Sequence, residues 1–195
     1  MTEKARIAVL VSGGGTNLQA LLDAQQSGVL HSGEIVLVVS NNSKAYALER
    51  AAKAGVETAV RKGLAFEDEL RVLLQQYRID LIILAGFMRI LSESFTSEWP
   101  NRILNVHPSL IPAFCGKGYY GLRVHEEALR RGVKVTGATV HFVNEIPDGG
   151  EIILQKAVDV LPGDTPEQLQ RRVMEQAEWI LLPQAAELVS KGVKA

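Results

Sequence analysis

The feature that most restricts the fold of this chain is the alternation of short aliphatic runs with amphipathic segments. Aliphatic runs occur at residues 7–11, 35–39, 81–85, 103–106, 135–143 and 152–158. The first four are nearly continuous in Val, Ile and Leu, which is typical of strands covered on both faces. Helical patterns lie at residues 17–26, 45–54, 66–77 and 125–131. The alternation predicts an α/β fold: an open, mostly parallel twisted sheet with helices on both faces and a Rossmann-like N-terminal half.

The last helix is predicted from its capping residues. Thr165 is placed to be the N-cap, Pro166 follows at the first helical position, and Gln168 can close a capping box. Apolar residues then recur at helical spacing from residue 169 to residue 181. We expect Pro183 to kink or end this helix, because proline lacks the amide hydrogen that a helix interior needs.

Composition suits one globular domain with its own core. The 195 residues are 47% hydrophobic and 22% charged. The net charge of −1 shows no basic excess, so a general nucleic-acid binder is not expected. The single cysteine, Cys115, excludes an intramolecular disulfide and suits a reducing compartment. With no apolar run near the length of a membrane span and no signal sequence, we expect a cytoplasmic protein without a membrane partner.

A glycine-rich turn joins the first predicted strand to the first predicted helix. It reads Ser-Gly-Gly-Gly-Thr-Asn over residues 12–17. Free amides at a helix start favour an anion, typically a phosphate, and glycines allow its close approach. The turn is not a dinucleotide fingerprint, since Leu18 stands where a third glycine is needed, and no Gly-Lys-Ser/Thr of a Walker loop follows. A phosphate site is the favoured interpretation, and a tight turn without a ligand is the alternative.

Polar side chains gather near the ends of two predicted strands. Asn105 and His107 are two residues apart and share a face, while Pro108 places them near the carboxyl edge of the sheet. Such an amide and imidazole could stabilise an oxyanion, or could simply form a hydrogen-bonded strand end. His141 lies on another predicted strand, and Asp148 follows in a segment where an acid could serve turn chemistry instead.

Metal binding and covalent catalysis find little support in the sequence. His107, His125, His141 and Asp148 lack the close spacing of a helical His-x-x-x-His site or a zinc finger, so no metal site is expected. No nucleophile elbow and no Ser–His–Asp order is present, which argues against a covalent intermediate on the protein.

Two blocks of sequence resemble the folate-dependent formyltransferases. Residues 105–112, Asn-Val-His-Pro-Ser-Leu-Ile-Pro, resemble the family signature Asn-x-His-Pro-Ser-Leu-Leu-Pro. Residues 137–143, Gly-Ala-Thr-Val-His-Phe-Val, followed by Asp-Gly-Gly at 148–150 and Ile-Leu-Gln at 153–155, resemble the second block. The resemblance covers nearly the whole chain and implies the formyltransferase fold, as a single domain over residues 1–195. It implies a phosphate-binding half at 1–100 and a catalytic and folate-binding half at 101–195.

Two further segments narrow the implied activity. They are Ala-Gly-Phe-Met-Arg-Ile-Leu at residues 85–91 and the glycine turn. The resemblance implies transfer of a formyl group from the cosubstrate 10-formyltetrahydrofolate to the amine of glycinamide ribonucleotide, a step of de novo purine synthesis, without a metal. The alternatives are a 10-formyltetrahydrofolate hydrolase, or deformylase, and a non-catalytic phosphosugar-binding module. The extra domains of methionyl-tRNA formyltransferase and of the deformylase are not expected in 195 residues.

The resemblance also implies roles for matched residues. The implied catalytic residues are His107, Asn105 and Asp148; the implied substrate-binding residues are Gly15, Thr16, Asn17, Pro108 and Glu178; the implied folate-binding residues are Met88, Arg89, Ile90, Leu91, Asn105, Asn144, Glu145 and Asp148. Glu178 stands one residue from the position of the family's ribose-binding Glu. The Ile111–Pro112 peptide falls where the family tends to have a cis bond.

The sequence departs from the family pattern at three places in the implied site, and a further expectation concerns the charge of His107. Gly14 replaces the Asn common in the family's turn, Glu178 is shifted, and the glycine-rich segment at 114–121 is longer than in the shorter members. We expect a protonated His107 to donate to the oxyanion, with the Asp148 carboxylate favouring the imidazolium through charge proximity.

Overall fold

The computed structural model describes residues 3–193 and contains a single sheet of seven strands in that part of the chain. The strands are β1 (Ala5–Val11), β2 (Gly33–Ser40), β3 (Glu57–Val60), β4 (Leu81–Leu84), β5 (Ile103–His107), β6 (Val135–Phe142) and β7 (Ile152–Asp159). The α-helices are α1 (Thr16–Ser27), α2 (Tyr46–Lys53), α3 (Phe66–Gln76), α4 (Glu93–Thr96), α5 (Leu122–Arg131), α6 (Pro166–Val173) and α7 (Trp179–Val193). A π-helical turn, Met174–Glu178, joins α6 to α7.

The strand order is β3-β2-β1-β4-β5-β6-β7. The five strands β3, β2, β1, β4 and β5 pair in parallel with one another, and β6 and β7 complete the sheet as antiparallel strands. The predicted fold class is therefore confirmed. β3 and α4 were not predicted. β3 is partly exposed rather than a continuous aliphatic run, and α4 is a single helical turn of four residues.

Helices cover both faces of the sheet because side chains alternate along each central strand. In β1, Ile7, Val9 and Val11 belong to one buried cluster, which includes apolar side chains of α1, α2 and α7. Ala8 and Leu10 belong to the second cluster, which includes apolar side chains of α3 and the Phe side chain of α4. Burial on both faces explains the continuous aliphatic runs seen in the sequence.

The start of the last helix is as predicted, and of the two outcomes expected at Pro183, a kink or an end, the structure excludes the end. The capping box of Thr165 and Gln168 forms with Pro166 at the helix start, as predicted. The helix does not end at Pro183, however, because α7 continues to Val193. Leu182 and the small side chains after Pro183 are buried in the first cluster, and this packing stabilises the helix beyond the proline. None of the helices within the described range combines the length and apolar character needed to cross a bilayer.

Glu187 anchors α7 to the segment before β2. Its Oε2 accepts hydrogen bonds from the amides of His31 (2.9 Å) and Ser32 (2.8 Å), and its Oε1 accepts one from the Ser32 hydroxyl (2.8 Å). Lys191 adds an ion pair at 3.2 Å. Burial alone would raise the pKa of the Glu187 carboxyl, but these donors lower that pKa to about 2 from an ordinary value of 4.5.

We expect the Glu187 carboxylate to contribute to the decline of the free energy of unfolding at acid pH. Because the pKa is lowered in the folded state, the carboxylate stabilises the fold above about pH 4.5, and this contribution is lost as the pH falls towards 2. Glu187→Gln should lower the free energy of unfolding at pH 7 and weaken its decline between pH 4.5 and 2, as measured by urea unfolding at each pH. A decline as steep as that of the unmodified protein would contradict the assignment.

Candidate active site

A cavity of about 760 Å³ lies at the carboxyl ends of β1, β4 and β5. Ligands of open α/β sheets bind at this edge. Its walls come from the glycine turn, residues 84–91, residues 105–108, the loop at 116–121, residues 143–144 and 146–148, and the π-helical turn. All the predicted site residues line this cavity except Glu145, whose side chain is exposed to solvent.

The glycine turn is pressed against α2. Gly15 has a φ of +74° and precedes α1 directly. A Cβ at this position would lie 2.6 Å from Cβ of Ala47, closer than side-chain carbons approach in proteins. Both the left-handed backbone and the close approach therefore require glycine at position 15.

The turn presents unpaired amide groups to the cavity. Within the described part of the chain, the backbone amides of residues 14–17 donate to no protein acceptor, while these same residues line the cavity wall. Unpaired amides at the start of a helix, aided by the positive end of its dipole, form an anion-binding site. The geometry thus favours the phosphate interpretation of the turn.

Glu178 reaches this turn from the other end of the chain. The Asn17 side-chain amide donates a 2.8 Å hydrogen bond to Oε2 of Glu178, and both residues are buried. Burial raises the pKa of the Glu178 carboxyl, and the bond from Asn17 opposes that shift only in part. Glu178 ends the π-helical turn, which uses an i→i+5 repeat and so displaces its residues by about one position relative to an α-helix.

Four polar side chains converge on the neighbouring part of the cavity. Asn105 and His107 lie on β5, and Asn105 pairs directly with His141 of β6. Asp148, which has a φ of +57°, brings its carboxylate to 3.5 Å from Nδ1 of His107 and 3.6 Å from Nε2 of His141. Both distances are those of charge contacts rather than hydrogen bonds. Among the described residues, no group of three or more His, Cys, Asp or Glu is placed to hold a metal ion.

The hydrogen bonds of His141 and His107 show which ring nitrogen carries hydrogen. Nδ1 of His141 lies 2.7 Å from the Phe142 carbonyl, which can only accept, so Nδ1 carries hydrogen. Nε2 of His141 lies between two partners, 3.1 Å from the side-chain nitrogen of Asn105 and 3.6 Å from Oδ1 of Asp148. By the same argument, Nε2 of His107 donates to the Phe114 carbonyl at 2.9 Å. The Nδ1 atom of His107 therefore faces Asp148.

Burial and charge oppose each other at His107. Burial lowers the pKa of His107, and the Asp148 carboxylate and the Phe114 carbonyl raise it only in part, so the pKa lies below its ordinary value. The expected protonated His107 is thus not the resting form at neutral pH. Burial raises the pKa of Asp148, but contacts with His141, His107 and the Gly116 amide lower it overall, so Asp148 is ionised.

The loop after β5 supplies contacts that were not predicted from the sequence. The Phe114 carbonyl holds His107, and the Gly116 amide donates a 2.8 Å hydrogen bond to Oδ2 of Asp148. These are backbone groups, so residue identity gives little sign of them beyond the density of glycines. His125 of α5 is also close enough to interact with His107. Burial lowers the pKa of His125 to about 4, and the proximity of His107 adds a smaller effect in the same direction.

Comparison with known proteins identifies the family. Residues 5–185 match the family model described as formyl transferase. This chain belongs to the formyl transferase family. The predicted resemblance is therefore confirmed over nearly the full length of the chain.

Two relatives of this formyltransferase are a phosphoribosylglycinamide formyltransferase and a purine biosynthetic protein. It is 42% identical over 193 residues to the phosphoribosylglycinamide formyltransferase of Haemophilus influenzae, covering 96% of this chain and 88% of that protein. It is 46% identical over 198 residues to the trifunctional purine biosynthetic protein adenosine-3 of Bos taurus, covering 97% of this chain but spanning only 19% of that longer protein.

Solved structures place this formyltransferase in the same group. The glycinamide ribonucleotide transformylase 1 of Symbiobacterium toebii is 46% identical, with a TM-score of 0.89 over 97% of this chain and 89% of that chain. A formyltetrahydrofolate deformylase from Burkholderia mallei is more distant, at 29% identity and a TM-score of 0.85, with 97% of this chain and 66% of that chain covered. The comparisons therefore do not favour the hydrolase alternative.

We expect Asp148→Asn to lower the pKa of His107 further. The substitution removes the negative charge that favours the imidazolium while leaving the burial of the ring unchanged. Titration of the ring nitrogens by NMR measures the change directly. Asp68→Asn, which removes an exposed carboxylate from α3, is the control and should leave the titration of His107 unaltered. An unchanged or raised pKa in Asp148→Asn would show that the carboxylate does not act on the ring.

Proposed function

We propose that this formyltransferase transfers the formyl group of 10-formyltetrahydrofolate to the amine of glycinamide ribonucleotide, in de novo purine synthesis. The observation that carries the proposal is that one cavity contains both an anion-binding turn and the polar cluster. A hydrolase of formyltetrahydrofolate needs the cluster but not the turn. A phosphosugar-binding module needs the turn but not the cluster. Only the transfer reaction uses both.

The phosphate of the substrate is assigned to the glycine turn. It accepts hydrogen bonds from the amides of residues 14–17, so Gly15, Thr16 and Asn17 form the phosphate site. Glu178, held beside the turn by Asn17, is assigned to the ribose hydroxyl groups. A carboxylate or carboxylic acid can accept from a hydroxyl, and Glu178 is already buried at this position. The chain from the ribose to the amine then runs past Pro108 towards β5.

The folate is assigned to the cavity wall formed by Met88, Arg89, Ile90 and Leu91 and by Asn144 and Asp148. Glu145, which was also predicted to bind the folate, does not line this cavity. Large apolar side chains stay exposed there: Met88 at 56%, Ile90 at 71% and Ile146 at 57%. Exposed apolar groups inside a concave wall indicate a ligand with an apolar body, such as a fused aromatic ring. We keep the predicted division into a phosphate-binding half at residues 1–100 and a catalytic and folate-binding half at residues 101–195, with one change. The Met88–Leu91 wall of the folate site comes from the first half.

The chemistry begins with attack by the substrate amine on the formyl carbon. A carbon–nitrogen bond forms, and the carbonyl oxygen becomes an oxyanion. The side-chain amide of Asn105 is placed to donate to that oxygen, and a donor aligned before the reaction is typically worth about 10²–10³ in rate. Collapse of the tetrahedral intermediate breaks the bond to the folate nitrogen and releases tetrahydrofolate. The nucleophile is the amine itself, so no covalent intermediate on the protein forms.

One proton moves from the attacking nitrogen to the departing folate nitrogen. His107 rests in the neutral form with Nδ1 free, so that Nδ1 can hold this proton in transit, directly or through a water molecule. The Asp148 carboxylate, 3.5 Å away, stabilises the imidazolium while it exists.

The two substrates account for the chemistry, with 10-formyltetrahydrofolate as the cosubstrate. We place the reaction in the cytoplasm.

The decisive assay supplies 10-formyltetrahydrofolate with and without glycinamide ribonucleotide and follows loss of the formyl donor. We expect loss of the donor only when the amine is present, with one formylated ribonucleotide formed per donor consumed. Consumption without the amine would establish a hydrolase. Tight binding of the ribonucleotide without consumption of the donor would establish a binding module. Either result would overturn the proposal.

Asp148→Asn is expected to reduce kcat by about 10²–10⁴, the range for a lost acid–base contribution. The KM of either substrate should change far less than kcat, because Asn keeps the size of the Asp148 side chain in the folate wall but loses the charge that acts on His107. Steady-state kinetics measures both constants, and Asp68→Asn again serves as the control. A kcat close to that of the unmodified enzyme would remove Asp148 from the mechanism.

A further inference from the structure

Arg50 of α2 contacts the glycine turn through its side chain. Its Nε donates a 2.8 Å hydrogen bond to the carbonyl of Gly14, and its Nη1 donates at 3.0 Å to the side chain of Gln19 on α1. The guanidinium carbon also lies 5.0 Å from the centre of the Tyr46 ring, a cation–π contact. Arg50 does not line the 760 Å³ cavity. It is therefore fixed by three neighbours without touching the assigned substrate site.

A second contact acts on the preceding peptide of the turn. The Ala47 amide donates to the Gly13 carbonyl at 3.1 Å. In a trans peptide the carbonyl and the following amide point in opposite directions. Because α2 holds the carbonyls of Gly13 and Gly14, the amides of Gly14 and Gly15 must point away from α2, towards the side on which the cavity lies.

Glycines would otherwise leave these two peptides free to turn over. Gly13 and Gly14 have no atom within 4 Å of where a Cβ would stand, so sterics alone do not fix their planes. The Ala47 contact is built into α2, whereas the Gly14 carbonyl depends on the side chain of Arg50. A charged donor makes a stronger hydrogen bond than a neutral one and is suited to this task.

We propose that Arg50 is a positioning residue, which holds the Gly14–Gly15 peptide so that the Gly15 amide faces the substrate phosphate. The identity of that phosphate as the one on glycinamide ribonucleotide rests on the function proposed above. The orientation of the turn rests only on its contacts with α2. Arg50 acts through the turn, so its effect should fall on binding of the phosphorylated substrate rather than on formyl transfer itself.

Steady-state kinetics of Arg50→Met tests this role. The variant keeps an unbranched apolar stem but loses every donor, and the KM for glycinamide ribonucleotide should rise on the order of tenfold, the usual effect of one lost hydrogen bond to a charged group. The kcat and the KM for 10-formyltetrahydrofolate should change less than twofold. Arg50→Lys retains a charged donor and should recover part of the lost affinity.

Lys53→Met provides the matched control. Lys53 is a second cation on α2, and its Nζ lies 5.6 Å from the same Tyr46 ring, but it makes no hydrogen bond to the turn. It should leave the KM for the ribonucleotide unchanged. An equal rise in Lys53→Met and Arg50→Met would show an effect of net charge rather than of position, and no rise in Arg50→Met would also overturn the inference.

Binding of inorganic phosphate separates this inference from the proposed function. In the unmodified protein, titration with phosphate should shift the NMR amide signals of Gly14 and Gly15, and Arg50→Met should weaken that binding on the order of tenfold. This outcome would support the role of Arg50 even if no formyl transfer were found. Phosphate binding of equal strength in the variant would contradict it, provided that both proteins show the same cooperative unfolding.

Discussion

Across the antiparallel pair of β5 and β6, Asn105 stands opposite His141 and His107 opposite Thr139. This register decides which side chains face the cavity, because a slip of one residue would turn each of them to the other face of the sheet. The Thr139 hydroxyl reinforces the register: it donates to the Ser109 carbonyl at 2.7 Å and accepts from the Ile111 amide at 3.1 Å. The chain after β5 is thus fixed at its start, at the cis Ile111–Pro112 peptide.

From that fixed start, the loop reaches back over the polar cluster. Its backbone holds His107 through the Phe114 carbonyl and Asp148 through the Gly116 amide. The same burial that aligns these groups lowers the pKa of His107. The site therefore keeps a neutral imidazole next to an ionised carboxylate. Such a pair is poised to take up a proton during the reaction, since the charge that forms on the ring is stabilised where it forms.

The sequence predicted the fold well wherever burial on two faces left a continuous aliphatic run. It did not predict β3, which is half exposed. It left open whether the last helix continues past Pro183, because that continuation depends on packing against the sheet. The capping residues of α6 were recognised because a capping box is a local interaction.

The same distinction between local patterns and tertiary contacts holds for the site residues. Asn105 and His107 could be placed on one face from their spacing, but the approach of Asp148 is a tertiary contact, and spacing does not encode it. The charge of His107 was expected to be positive, because the pairing with Asp148 was considered without the cost of burial. Nothing in the sequence singled out Arg50, since it is one of two cations on an amphipathic helix.

The central claim is that one bound substrate spans the glycine turn and the polar cluster. A crystal structure with glycinamide ribonucleotide and an unreactive folate analogue tests it most directly. The phosphate oxygens should lie about 3 Å from the amides of residues 14–17. The amine should lie between the folate and the side chains of Asn105 and His107. A phosphate bound away from the turn, or an amine directed away from β5, would contradict the account.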